Sequence, residues 1–296
     1  MRQQIHAVVV TYFPDDAVVA NLRALQPQVD RLVIVDNTGP HGSRSRLDAF
    51  RGVRDLTVIL NDENRGLAAA LNQGLAVALD EGADWIATFD QDSRAPDGYC
   101  RDLLAGLAAC PEPTRIGMLA PIYQDHGLGF RYSPAVSLEG DARRVAPVTV
   151  AITSGNLLRA DAVRAVGGFR DDFIIDCVDF EYCLRLSRGG WMIYEIRDVV
   201  LDHAQGNYTK RVLLGRSFSV NDYPPVRRYY QTRNRWVTYR LHWSVAPKWI
   251  LRDAWIYGKE MVKLALFSRD RRAKLAAVAT GAWHGLTGRL GAWKPR

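Results

Sequence analysis

Asp84-Trp85-Ile86-Ala87-Thr88-Phe89-Asp90-Gln91-Asp92-Ser93 is an apolar, aromatic-rich run that stops on two carboxylates. Its first six residues predict a buried strand. Asp90 and Asp92 then stand at the strand's C-terminal end, where open α/β sheets bind ligands. Hard divalent cations take oxygen ligands, and Mg²⁺ is held by one or two carboxylates together with substrate phosphates. Taken alone, Asp-x-Asp after a strand also serves as a helix cap or a solvated loop. The surrounding chain decides between these readings.

Upstream, strand-like runs alternate with helical ones. Ala7–Tyr12, Arg31–Val35 and Leu56–Leu60 read as strands, and Asp15–Leu25 and Leu67 to about Asp80 as helices. Such alternation predicts an open, mostly parallel sheet with right-handed crossovers and helices on both faces. Downstream, Gly127–Pro147 reads as an irregular hairpin or loop. Ala151–Thr153 reads as a short strand, Arg159–Val166 and Asp179–Ser187 as helices, and Trp191–Ile196 as a strand. Another extended run ends on Leu201-Asp202-His203. The expected division follows: residues 1–204 form a catalytic body and residues 205–296 a helical extension.

Charge supports that division. The chain has 296 residues and a net charge of +7, but residues 205–296 hold 19 Lys and Arg against 4 Asp and Glu. A basic tail behind an acidic body implies an anionic partner. Tyr229, Tyr230, Trp236, Tyr239, Trp243, Trp249, Trp255 and Tyr257 are interleaved with those cations. Lys248–Phe267 carries apolar residues near helical spacing, and Arg272–Leu290 reads as a second such helix. This is the composition of an interfacial membrane helix, or of helices packed on the body with basic outer faces. No apolar run reaches the ~20 residues a bilayer-spanning helix needs. The N-terminus shows no secretion signal, and the four scattered cysteines suit a reducing compartment.

The motifs, in order, resemble the inverting glycosyltransferases of family 2, which have the GT-A nucleotide-sugar-binding fold. Within that family they are similar to the bacterial rhamnosyltransferases. The resemblance is carried by Val33-Ile34-Val35-Asp36-Asn37, Asn64-Arg65-Gly66 with the helix to Asn72, Phe89-Asp90-Gln91-Asp92-Ser93, Ser154-Gly155-Asn156, Gly167-Gly168-Phe169, Asp176-Cys177-Val178-Asp179-Phe180-Glu181 and Tyr229-Tyr230-Gln231-Thr232-Arg233-Asn234. It covers roughly residues 5–240.

The resemblance implies a role for each position. Thr11 and Asp36 line the nucleoside pocket, although Asp36-Asn37 also reads as a turn. Asn64, Arg65 and Gly66 precede a helix whose N-terminal amides attract phosphate. Asp90 bonds ribose or supports a Mg²⁺ or Mn²⁺ ion that Asp92 ligates. His203 reads either as a further ligand or as a structural imidazole. Asp179 is the general base, with Asp176 as the alternative, because Val178 stands where the family has the first acid of a pair. Ser154, Gly155 and Asn156 fall on the acceptor side. Arg233-Asn234 and the preceding tyrosines close over the diphosphate or shape the acceptor site, or Arg233 is a plain surface cation.

The implied activity is transfer of a sugar with inversion, L-rhamnose from dTDP-L-rhamnose, to a glycan or lipid-linked acceptor. The implied place is cytoplasmic, peripheral at the inner face of the cytoplasmic membrane. Two other classes compete. A sugar-nucleotide-forming nucleotidyltransferase needs a Gly-rich basic loop after the first strand, and Thr11-Tyr12-Phe13-Pro14-Asp15-Asp16 has neither Gly nor Lys. A nucleic-acid-binding protein needs a basic groove, which the acidic body does not offer.

Overall fold

The computed structural model describes residues 2–40, 47–48, 50, 55–125, 130–132, 144–203, 208–213, 216–221 and 223–294. Four strands carry the first half: β1 (Ile5–Thr11), β2 (Arg31–Asp36), β3 (Leu56–Leu60) and β4 (Trp85–Asp90). All pair in parallel, with Val10 opposite both Val35 and Asp90. Alternate side chains of a strand point to opposite faces. Val8, Val10, Val33 and Val35 therefore enter one core, and Ala7, Val9, Leu32 and Ile34 the other.

α1 (Asp16–Leu25) is capped by the Asp15 carboxylate, which accepts from the Val18 amide at 3.0 Å. It covers the second core, together with α3 (Tyr99–Ala105). α2 (Leu67–Asp80) covers the first. It lies close to the sheet because residue 74 is glycine: a Cβ there would stand 2.2 Å from Val8 Cγ1.

The second half completes a sheet ordered β3-β2-β1-β4-β8-β5-β9-β7, with β6 on the end of β5. β5 is Ile116–Asp125, β6 Phe130–Tyr132, β7 Val145–Pro147, β8 Asn156–Arg159 and β9 Met192–Asp202. β8 runs antiparallel between β4 and β5, whereas β9 is parallel to β5. The strand expected at Ala151–Thr153 is displaced to Asn156–Arg159. A turn at Gly155, with φ +80°, lies between the two segments. Much of the Gly127–Pro147 loop lies outside the described residues. α4 (Ala160–Val166) and α5 (Val178–Arg188) close the first core.

After β9 come a hairpin, β10 (Tyr208–Leu213) with β11 (Arg216–Asn221), and three helices. These are α6 (Pro225–His242), α7 (Pro247–Phe267) and α8 (Arg271–Thr287). α8 lies against α6 on two glycines. A Cβ on Gly281 would meet the Tyr229 carbonyl oxygen at 2.6 Å, and one on Gly285 the Arg233 carbonyl oxygen at 2.7 Å. α6 turns buried polar groups toward the body, among them Gln231, Arg233, Asn234 and His242. His242 Nε2 pairs with Glu181 of α5 at 3.3 Å. Among the described residues no helix is long and apolar enough to cross a membrane. The chain is mixed α/β with an open, mostly parallel sheet, as its strand-helix alternation implied.

Candidate active site

The C-terminal ends of β1, β2 and β4 open into a cleft with two confluent halves. One, about 480 Å³, is lined by Tyr12, Asn37, Asn64, Asp92, Val226 and Tyr230, among others. The other, about 490 Å³, is lined by Thr153, Asp179, His203, Tyr223, Gln231 and Arg235. Leu67, Asp90, Ile175 and Arg227 line both. A larger groove of about 740 Å³ between α6 and α8 carries no carboxylate in its wall.

Asp90, Asp92 and His203 converge at the cleft floor. Each offers a ligand atom, and these atoms lie within 4.8 Å of one another. The chain brings them together through backbone pairing. Arg94 bridges to Asp202, and the His203 amide donates to the Gln124 carbonyl at 3.1 Å, so β9 ends beside the turn after β4. A hydroxyl relay then fixes the group. The Asp90 amide donates to Ser154 Oγ at 3.0 Å, Ser154 Oγ pairs with Ser93 Oγ at 2.6 Å, and Ser93 Oγ pairs with His203 Nδ1 at 2.9 Å. His203 Nδ1 stands 3.6 Å from Asp92 Oδ1. Burial pushes the Asp90 carboxyl up to about 6; His203 opposes the rise and Asp92 adds to it.

Asp179 stands at the first turn of α5, in the second half of the cleft. Burial pushes its carboxyl up to about 7. The Phe180 amide, which donates to Asp179 Oδ1 at 2.9 Å, pulls the other way, and Asp176 and Asp90 add to the rise. Asp176 is spent on an ion pair with Arg227, Nε to Oδ2 3.2 Å. Arg235 is held by Asp253 at 2.9 Å and lies over the Tyr257 ring.

The segment before α5 is strained. Ile174, Asp176 and Cys177 all have left-handed φ, at 66°, 64° and 59°. For a β-branched residue such as Ile174 this is a true outlier. Each such residue costs about 1–3 kcal/mol unless its surroundings over-determine it.

At the ends of β1 and β2, Thr11 and Asp36 are fully buried and line neither half of the cleft: Thr11 Oγ1 donates to Asp36 Oδ1 at 3.2 Å, and Thr38 Oγ1 donates to the same oxygen at 2.6 Å. Asp36 Oδ2 is buried with no partner among the described residues. Asn37 ties down the 61–66 loop: its Nδ2 donates to Asn64 Oδ1 at 2.9 Å, and its Oδ1 accepts from the Arg65 amide at 3.0 Å. Asn64 lines the cleft, and the Arg65 side chain is exposed. Gly66, φ +86°, leaves no room for a side chain beside Ile174: a Cβ there would stand 2.9 Å from the Ile174 Cα. The first amide of α2, that of Leu67, donates to the Ile174 carbonyl at 2.7 Å rather than facing the cleft.

Two expectations are corrected. Arg233 does not reach the cleft. It is fully buried, and its guanidinium donates to the Asp172, Phe173 and Gly291 carbonyls. Arg227 and Arg235 line the cleft instead, and nothing in their local sequence distinguishes them from other tail cations. Ser154, Gly155 and Asn156 line neither half of the cleft. All three are buried; Ser154 holds the Asp90 turn, and Asn156 bonds the Ile152 carbonyl. Ile152 and Thr153, just before them, reach the cleft.

Residues 7–133 match the model of glycosyl transferase family 2. The chain carries a family 2 glycosyltransferase domain. This glycosyltransferase is 28% identical over 253 residues to dTDP-rhamnosyl transferase RfbF of Shigella flexneri, with 81% of each chain covered. It is 27% identical over 277 residues to galactofuranosyltransferase GlfT1 of Mycobacterium tuberculosis, with 87% of this chain and 90% of that one covered. Mannosyltransferase PcManGT of Pyrobaculum calidifontis, solved with GDP-Man and Mn²⁺, superposes with a TM-score of 0.54 at 17% identity. That superposition covers 98% of this chain and 88% of the other, and shows a shared fold.

Proposed function

We propose that this glycosyltransferase moves L-rhamnose from dTDP-L-rhamnose, with inversion, to a hydroxyl of a cell-surface glycan or lipid-linked acceptor. The observation that carries the reaction type is the placement of Asp179 in the same half of the cleft as Asp90 and His203, whose ligand atoms converge with that of Asp92. The likeness to RfbF supports the donor.

Two carboxylates and an imidazole with converging ligand atoms fit Mg²⁺ or Mn²⁺. Asp92 and His203 would hold the ion, with Asp90 beside them. When bound, it neutralises charge on the departing nucleoside diphosphate. The nucleoside sits over the ends of β1 and β2, where Asp36 Oδ2 is a buried acceptor with no partner among the described residues. Thr11 orients that carboxylate, and Asn64, Arg65 and Gly66 shape the wall beside the diphosphate.

Asp179 takes the proton of the acceptor hydroxyl. A sugar alcohol is a poor nucleophile, and a carboxylate whose proton affinity matches the working pH contributes about 10²–10⁴-fold. One base opposite one leaving group gives a single displacement and an inverted anomeric centre.

Residues 205–296 form the acceptor-side and membrane-side part in this reading. α7 exposes Leu251, Trp255, Val262 and Leu266, which helical spacing places on one stripe, and fully buries only Ile250 and Leu264. α8 exposes Leu275, Trp283 and Leu286. Trp and Leu among Lys and Arg suit the inner, anionic face of the cytoplasmic membrane.

The test is a thermal-shift screen of nucleoside-diphosphate sugars with Mn²⁺, because a selectively bound ligand raises the melting temperature. dTDP-L-rhamnose should shift the protein more than UDP- or GDP-sugars do. A larger shift with another nucleotide refutes the donor.

A further inference from the structure

The five carbonyls from Asp172 to Asp176 are all bound by groups outside that segment. The Leu67 amide of α2 takes Ile174. Arg233 takes Asp172 at 2.7 Å and Phe173 at 3.2 Å. The Asn234 carboxamide donates to Phe173 at 2.9 Å, Ile175 at 2.8 Å and Asp176 at 2.8 Å. One side-chain nitrogen thus spans the stretch in which three non-glycine residues adopt left-handed φ. The Ile175 amide donates back to Phe173 at 2.7 Å, closing a γ-turn at Ile174 with φ 66° and ψ −64°, a rare and strained form. Two residues after Cys177, the last strained position, stands Asp179.

We propose that Asn234 is a positioning residue for Asp179: its carboxamide holds the strained 173–177 turn in the one shape that places the first turn of α5, and with it the Asp179 carboxylate, in the cleft. The proposal rests on Asp179 being the base. An asparagine suits the place because a leucine would leave the Ile175 and Asp176 carbonyls without their donor, and an aspartate would set carboxylate oxygens against them. Asn234 Oδ1 in turn accepts from Arg233 Nε at 2.9 Å, so the pair works as one clamp. Gly66 supports the turn from the other side, where a Cβ would stand 2.8 Å from the Ile174 carbonyl oxygen.

The test compares full-length wild type with Asn234→Asp, Asn234→Ala and Gly66→Ala. dTDP with Mn²⁺, titrated by calorimetry, counts folded sites in the wild type and the Asn234 variants. Release of dTDP from dTDP-L-rhamnose, with water as acceptor, gives turnover. Asp90, Asp176, His203, Arg227 and Arg235 share the cavity with Asp179, and none of them is altered. The Asn234 variants should bind dTDP within threefold of wild type. Their kcat per site should fall about 10–100-fold, the cost of an ångström-scale misplacement. The acid limb of their kcat profile should move down as the carboxylate leaves its buried place. Gly66→Ala should move the same limb in the same direction.

Unchanged kcat per site overturns the proposal. So does loss of dTDP sites in proportion to the lost rate, which marks a folding role only, and so does an unmoved limb in Gly66→Ala. Asp179→Asn separates the two readings. If it turns over normally, the base assignment fails; if it is dead while the Asn234 variants are normal, the positioning role alone fails.

Discussion

Asp179→Asn should silence the enzyme and make it more stable, with a pH dependence that burial dictates. Burial raises the folded carboxyl from an ordinary value of 3.8 to about 7, a rise of about 3 pH units. At 1.36 kcal/mol per unit, keeping Asp179 ionised costs the fold at most about 4 kcal/mol. Partial contact with solvent in the cleft reduces that to about 2 kcal/mol. Below pH ~4 the carboxyl is protonated in both folded and unfolded chains, and there is no cost. Between pH ~4 and ~7 the unfolded chain has released the proton while the folded chain retains it, so the cost grows with pH. Above ~7 both are ionised and the cost is complete. Asparagine removes it. The melting-temperature gain of Asp179→Asn over wild type, measured in EDTA, should therefore be near zero at pH 4. It should rise through neutrality and level off above pH 7 at about 4–8 °C. dTDP binding with Mn²⁺ should survive and turnover should fall about 10²–10⁴-fold. A stability gain independent of pH, or none at pH 8, refutes the argument from burial.

Asp92→Asn, and EDTA on the wild type, should each reduce turnover at least 100-fold, read as dTDP release; undiminished metal-free turnover would remove the cation from the reaction. Trp255→Ser with Trp283→Ser should weaken sedimentation with anionic vesicles while leaving dTDP affinity unchanged, and equal sedimentation of wild type and double variant would sink the membrane reading. Gly74→Ala should lower stability by about 1–3 kcal/mol in chemical denaturation, because the added methyl must displace Val8; a neutral result would mean that α2 can move off the sheet freely.

The first four strands were legible because buried parallel strands are short apolar runs, and nothing competes with that reading in β1, β2 or β4. β5 was not legible. Gly117 and Pro121 interrupt its sequence, and its identity comes from pairing with β9 and β8, far along the chain. α6 is not legible as a helix for the opposite reason: its buried face is largely polar, with Gln231, Thr232, Arg233 and Asn234 where an amphipathic helix carries its apolar stripe. That same feature hides the buried place of Arg233, whose sequence context is that of a surface or phosphate-facing cation. Nothing local to the sequence tells an arginine that binds ligand from one that binds backbone carbonyls. The two acids after β4 could be read from the strand end alone. The convergence of His203 with them depends on where β9 stops.

The glycine seam between α6 and α8 has a mechanical consequence. α6 is at once a wall of the reaction chamber and the beam to which the outer helices are fastened, so the chamber is mounted on them rather than tethered by slack chain. Whatever plane the outer helices rest on, the chamber floor then stands at a set height and angle above it. A substrate anchored in that plane would be selected by its length as well as by its chemistry, as if measured against a gauge.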